Sequence, residues 1–182
     1  RDSNASRGLG DVYKRQDINF ADGWTLRYPD IRKFGALLKT QRDPANHALI
    51  KNLGPEPLGN RFSGEYLFKK SRKRILPIKN FIMDSKIVVG VGNIYANEAL
   101  FMAGIRPTRK SGSISRAKYD LLSRSIVSTL KEAIEAGGTT LKDYTNAEEA
   151  PGYFKKELKV YDRAGEPCLT CSKALKEIRQ SN

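Results

Sequence analysis

Residues 83–109, M-D-S-K-I-V-V-G-V-G-N-I-Y-A-N-E-A-L-F-M-A-G-I-R-P-T-R, constrain this chain more than any other stretch. An apolar segment runs into a double-glycine turn, passes through an asparagine, and starts a helix that closes at Ala103-Gly104 before a basic exit broken by Pro107. Gly90 and Gly92 free the backbone for positive φ and for close approach to a ligand, and Asn93 is a strong helix N-cap. Ile94, Ala96, Ala99, Leu100 and Ala103 form an apolar stripe at helical spacing, which leaves Tyr95, Asn97 and Glu98 on the remaining face. Gly104 suits the first position past the helix, and Pro107 forbids its continuation. A helix start of this kind presents unpaired N–H groups and a partial positive charge, which suits a phosphate. On its own, G-V-G-N more often marks a helix that simply satisfies its own first turn.

Charge shifts that balance. The 182 residues carry 33 Lys and Arg against 20 Asp and Glu, a formal net charge of +13, while 39% of residues are hydrophobic. A chain that is both core-forming and strongly basic is expected to have a polyanionic partner, most simply nucleic acid. No run of about 18 apolar residues is present, so no membrane span is expected, and residues 1–16 lack the apolar core of a secretory signal. With only two cysteines, Cys168 and Cys171, the expected setting is the reducing cytoplasm.

Residues 1–16 show no periodicity and read as a leader outside the fold, non-native or disordered. Alternation around Ala21-Asp22-Gly23 predicts a hairpin of 18–20 with 25–28, and 34–39 suggests a further short strand. Asp43 before Pro44 predicts a capped helix to about residue 52, followed by a rigid connector at G-P-E-P-L, 54–58. Helices are predicted over 63–73 and 77–83, with Lys69, Lys70, Arg72, Lys73, Arg74 and Lys79 as a basic cluster. The longest helix is predicted over 115–136, with Ser115 as N-cap, Tyr119, Leu122, Ile126, Leu130 and Ile134 as its apolar stripe, and Gly137-Gly138 as its stop. Residues 139–154 form a long loop, a length that in a compact domain usually carries function or is disordered. A strand over 158–161, a turn at Arg163-Ala164-Gly165 and the pair Cys168-x-x-Cys171 finish the chain; C-x-x-C alone fits either zinc or redox use.

Four separated motifs, in order, now stand together: L-R-Y-x-D-x-R-x-F-G at 26–35, L-G-P-E-P-L at 53–58, the glycine-turn helix, and G-G-T-T-L-x-D-Y continuing through P-G-Y-F at 151–154 to V-Y-x-R-x-G-E-P-C-x-x-C. In these motifs the chain resembles the formamidopyrimidine-DNA glycosylase family, bacterial base-excision repair enzymes for oxidised purines. The resemblance runs from residue 17 to the end. It implies an α+β fold: the last strands of an N-terminal β-sandwich at 17–40, a helix-two-turn-helix DNA-binding domain at 41–156 with a lesion-capping loop at 139–154, and a truncated zinc-finger hairpin at 157–182.

Roles follow from the same resemblance. Asn93 matches the phosphate clamp beside the damaged nucleotide. Arg32 and Phe34 match the wedge that fills the gap left by an extruded base, the arginine pairing with the orphaned partner and the aromatic buckling the stack, as an unstacked step requires. Arg74 and Lys79 match basic positions that hold DNA. Thr139, Thr140, Tyr144, Gly152 and Tyr153 belong to the loop that closes over the lesion and place the chain in the oxidised-purine branch. Cys168 and Cys171 match half of a structural four-cysteine Zn2+ site. The implied partner is damaged double-stranded DNA, bound by a monomer, with no membrane involved.

The family's nucleophile is the secondary amine of an N-terminal proline, next to a glutamate acting as general acid. Here the sequence reads Arg1-Asp2, and an ordinary lysine amine, with a pKa of about 10.4, is no substitute. The single histidine, His47, gives no support to a Ser-His-Asp or histidine-zinc alternative. The implied parent activity is excision of 8-oxoguanine and formamidopyrimidines followed by β,δ-elimination at the abasic site, while this polypeptide is expected to be inactive. Two alternatives are a non-catalytic DNA-binding module of the same fold and an RNA-binding basic protein.

Overall fold

The computed structural model describes residues 14–29, 35, 37–138 and 158–180. They form two compact units, Arg1–His47 and Ala48–Asn182, against the 40/41 boundary read from the sequence.

In the first unit, β1 (Lys14–Asn19) pairs antiparallel with β2 (Thr25–Pro29), so the predicted hairpin is present. Its strand begins at Lys14, upstream of the residue-17 boundary set by the motifs. Gly23 takes φ +89° in the turn, a region open to glycine at no steric cost. Asp17 and Arg27 sit opposite each other and pair at 3.2 Å. Gln16 uses both ends of its amide on the backbone of Leu37, at 2.9 and 3.1 Å. That segment is not a strand: Gly35 and residues 37–40 are irregular, because a side chain rather than a neighbouring strand takes up the backbone groups of Leu37.

The predicted helix from Pro44 to residue 52 is replaced by a single 3-10 turn, Pro44–Asn46. Its cap is as expected, with the Asp43 side chain accepting from Ala45 N at 2.9 Å. His47 then turns extended, and Leu49, Ile50 and Leu53 are all exposed, so no buried face exists to extend the turn into a helix.

In the second unit, α1 (Gly64–Ser71), α2 (Ile78–Met83), α3 (Asn93–Met102) and α4 (Arg116–Glu135) surround one core. Ser63 caps α1 through Tyr66 N, and Ser115 caps α4 through Lys118 N. α1 ends at Ser71 rather than at residue 73 because Arg72 leaves the helix and Lys73 takes φ +62°. Tyr119 of α4 is fully buried between Phe68 and Phe81, both edge-on at 6.3 Å, and its hydroxyl donates to Ser111 O at 3.0 Å. The α4 stripe is buried at Tyr119, Leu122 and Ile126, whereas Ile134 is 64% exposed and Ala133 is buried in its place. α1 and α4 meet where Gly64 lies directly against the backbone of Asp120. The Gly54 connector runs alongside 85–89, with Gly54 N donating to Ser85 O at 2.8 Å. Among the described residues no helix is long and apolar enough to cross a membrane.

Candidate nucleic-acid interface

The glycine turn is built by Asp84, whose carbonyl accepts from Ile87 N and Val88 N and whose carboxylate accepts from Lys86 N. Ile87, Val88 and Val91 are buried, and Tyr66 Oη fixes the turn by donating to Ile87 O at 2.9 Å. Gly90 takes φ +78°; a Cβ there would meet nothing within 4 Å, so backbone sign, not space, calls for glycine.

Gly92, at φ −84°, is the N-cap of α3, and Asn93 is its first helical residue with no side-chain capping bond. The expectation that Asn93 caps the helix, and that Gly92 needs positive φ, is therefore corrected: an extended Gly92 is the cap residue, its carbonyl accepting the first intrahelical bond from Ala96 N at 2.9 Å. The consequence favours ligand binding. The Asn93 amide is exposed at the positive end of a ten-residue helix.

Asn93, Lys79, Asn80, Met83 and Gln180 line one cavity of about 230 Å³. Sequence positions 79 and 93 are thus brought together, with the helix terminus and a cation on the same space. Burial holds the Lys79 amine below its ordinary value, since desolvation disfavours the ammonium form. Gln180 donates through Nε2 to Pro107 O at 3.4 Å. Arg74 is exposed, its guanidinium 5.6 Å from the Phe81 ring centre.

The rest of the predicted basic cluster divides. Lys69 pairs with Glu65 at 2.7 Å. Arg72 is structural: it lies 3.9 Å over the Phe68 ring and donates to Phe68 O, Ser71 Oγ and Ile114 O.

Residues 158–161 are not a strand. The Glu98 carboxylate accepts their amides, from Lys159 and Tyr161 at 2.8 Å and from Val160 at 3.0 Å. Glu98 is 3% exposed, so its placement on the polar face of the helix is also corrected. Ile94, four residues earlier on the stripe, was the available sign that position 98 faces inward. Leu158 packs with Ala133, Ile94, Tyr95 and Tyr161 in a small second cluster.

Downstream, the turn at Gly165 (φ +82°) is present, and Gly165 N donates to Leu175 O. Cys168 N donates to Lys173 O, and Thr170 N points at Cys168 Sγ at 3.5 Å. Backbone N–H groups of Thr170 and Cys171 lower the Cys168 thiol below its usual value. Both thiols are free, and among the described residues no group of three or more His, Cys, Asp or Glu gathers around a metal position. Arg32 and Phe34 lie outside the described residues, as do Thr139, Thr140, Tyr144, Gly152 and Tyr153.

Residues 53–145, more than half of the chain, match the formamidopyrimidine-DNA glycosylase H2TH domain. This chain belongs to the formamidopyrimidine-DNA glycosylase family. It is 57% identical over 167 residues to the formamidopyrimidine-DNA glycosylase of Marinomonas sp., covering 91% of this chain and 61% of that protein. With the enzyme of that name from Idiomarina loihiensis it shares 55% over 163 residues, 90% of this chain and 60% of the relative. The chain thus spans about three-fifths of the length of these glycosylases. Among solved structures, the MutM (Fpg) protein of Thermus thermophilus superposes with a TM-score of 0.80 at 35% identity, covering 90% of this chain and 62% of that one. A Lactococcus lactis Fpg in complex with DNA containing an abasic site gives 0.79 at 33%, with 93% and 62% covered. The motifs that carried the family resemblance are accordingly those of a family member, in an α+β setting.

Proposed function

We propose that this chain is the DNA-holding part of a base-excision-repair glycosylase that removes oxidised purines, 8-oxoguanine and formamidopyrimidines, from double-stranded DNA and nicks the abasic site by β,δ-elimination. One observation supports this most: the Asn93 amide, free of capping duty at the start of α3, shares a cavity with Lys79. Backbone amides, a side-chain amide and a cation around one space suit a phosphate oxygen.

In this reading Asn93 and Lys79 grip the backbone beside the lesion, and Arg74 adds a further cationic contact. Arg32 and Phe34 fill the space of the extruded base, and the 139–154 loop, with Thr139, Thr140, Tyr144, Gly152 and Tyr153, closes over it. Residues 17–40 belong to the β-sandwich, 41–156 to the DNA-binding domain and 157–182 to the finger. Cys168 and Cys171 supply two of the thiolates of a structural Zn2+, which ties such a hairpin together when bound; the N–H groups aimed at Cys168 suit its thiolate form. The protein acts as a monomer in the cytoplasm. The 182-residue polypeptide is expected to hold DNA without excising the base.

The test is binding of the 182-residue chain to duplexes with and without an abasic site, alongside structured RNA. Preference for the abasic duplex that is lost in Asn93→Ala is the expected result. Equal affinity for RNA and DNA, or an unchanged preference in the variant, would overturn the reading. Borohydride treatment is expected to leave no trapped adduct.

A further inference from the structure

Segments 74–79 and 107–112 run antiparallel. Gly112 N donates to Arg74 O at 2.9 Å, Ser111 N to Leu76 O at 2.9 Å, Ile78 N to Arg109 O at 2.8 Å and Lys79 N to Pro107 O at 3.2 Å. Gly112 has to be glycine for this pairing, because a Cβ would lie 2.6 Å from Arg74 O. The paired segments and their flanks carry Lys73, Arg74, Lys79, Arg106, Arg109 and Lys110, and residues 73–83 and 99–119 contain no Asp or Glu.

Several cations elsewhere in this unit are paired. Lys69 pairs with Glu65, Arg116 with Glu65 and Asp120, and Arg163 with Glu166. Among the described residues none of the six cations on the ribbon is in an ion pair, and all but Lys79 are exposed. Like charges held together repel, and a polyanion relieves that repulsion. The ribbon also begins at the Asn93 cavity: Lys79 lines it, and Gln180, another lining residue, donates to Pro107 O.

We infer that Arg106, Arg109 and Lys110 form a second phosphate-contacting element, which holds duplex DNA outside the lesion and continues the Asn93–Lys79 clamp along the backbone. This rests on the DNA-binding reading above. Exposed arginines and lysines that meet phosphates supply affinity and register without reading the base, so these residues act on salt dependence and leave lesion preference alone.

The experiment measures the affinity of the 182-residue chain for abasic and intact duplexes across a salt series. The triple variant R106Q/R109Q/K110Q removes charge while keeping the backbone pairing, and the slope of log affinity against log salt is expected to fall by about 0.9 for each phosphate that is no longer neutralised. The ratio of abasic to intact affinity is expected to stay at the wild-type value, and R106K/R109K to keep the wild-type slope. As a control for diffuse charge, R124Q/K131Q/K173Q removes three exposed cations from other parts of the same unit. An unchanged slope in the ribbon variant, or an equal fall in the control, overturns the inference while wild-type preference for abasic DNA still supports the wider reading. Absence of any DNA binding by the wild type overturns both.

Discussion

The carboxylate of Glu98 accepts the backbone amide of Tyr161 at 2.8 Å across 63 positions of chain, and the amides of Lys159 and Val160 complete the set. One helix thus carries Asn93 at its start and, a turn and a half later, the anchor for the segment leading into the Cys168 hairpin. A carboxylate offers two acceptor oxygens, while glutamine offers one and turns an NH2 group toward a donor. Glu98→Gln is expected to cost about 2–3 kcal/mol, the range for disrupting hydrogen bonds to a buried charged group. Urea unfolding reads the loss, and hydrogen exchange should show faster exchange at 159–161; unchanged protection there would count against the anchor.

Gly64 lets α1 approach α4. A Cβ at this position would meet the backbone of Asp120, lying 2.6 Å from its nitrogen, and backbone cannot rotate away as a flexible side chain can. Gly64→Ala is expected to destabilise by about 1–3 kcal/mol, the cost of overpacking a close contact. A fall in urea midpoint with an unchanged slope would show it, since compactness is retained.

Arg72 joins the end of α1 to the segment leading into α4 through its bond to Ile114 O, while stacked on Phe68. A lysine cannot present the same planar fork or stack. Arg72→Lys is expected to lose roughly 1–2 kcal/mol, the scale of a few exchanged hydrogen bonds in a half-buried site. Thermal unfolding checks the direction, and a neutral result would place Arg72 with the solvated cations instead.

Where a cap and an apolar stripe coincide, local sequence was enough: Ser115, Gly104 and Gly137 bound their helices as expected. Position 44 had the cap without the stripe, and Leu49 at 67% exposure shows why the turn went no further. Residues 158–161 carry a strand-like pattern, but their amides go to a carboxylate some sixty positions away, a partner that local spacing does not encode. Gly92 against Asn93 as N-cap is decided by backbone angles, and both residue types suit the place. The meeting of Lys79 with Asn93 was legible only through the motif resemblance, because it depends on how α2 packs beside the glycine turn.

The proposed clamp carries a pH signature through Lys79. Burial lowers its pKa below 10.5, so the unfolded chain holds this proton to higher pH than the folded one. Its contribution therefore opposes folding at neutral pH, and the opposition fades as pH rises through the folded value toward 10.5. A bound phosphate favours the ammonium form instead. Affinity for abasic DNA is expected to weaken in the alkaline range below 10.5, and Lys79→Arg to flatten that loss. Anisotropy titrations from neutral to alkaline pH test it; identical profiles for the two proteins would remove Lys79 from the clamp.

Asn93→Asp separates a structural role from a binding one because the two move in opposite directions. Asn93 occupies the first helical position and makes no capping bond, so the substitution leaves the cap at Gly92 intact. A negative charge in the first turn interacts favourably with the helix dipole and is expected to add about 0.3–1 kcal/mol of stability. The same charge faces the cavity it shares with Lys79 and repels a phosphate there. The variant is therefore expected to melt at the wild-type temperature or slightly above while its preference for abasic over intact duplex falls at least about tenfold, the factor for a 1.4 kcal/mol loss. A variant that is stabilised and still prefers the abasic duplex at the wild-type ratio would reduce Asn93 to an ordinary helix-start residue.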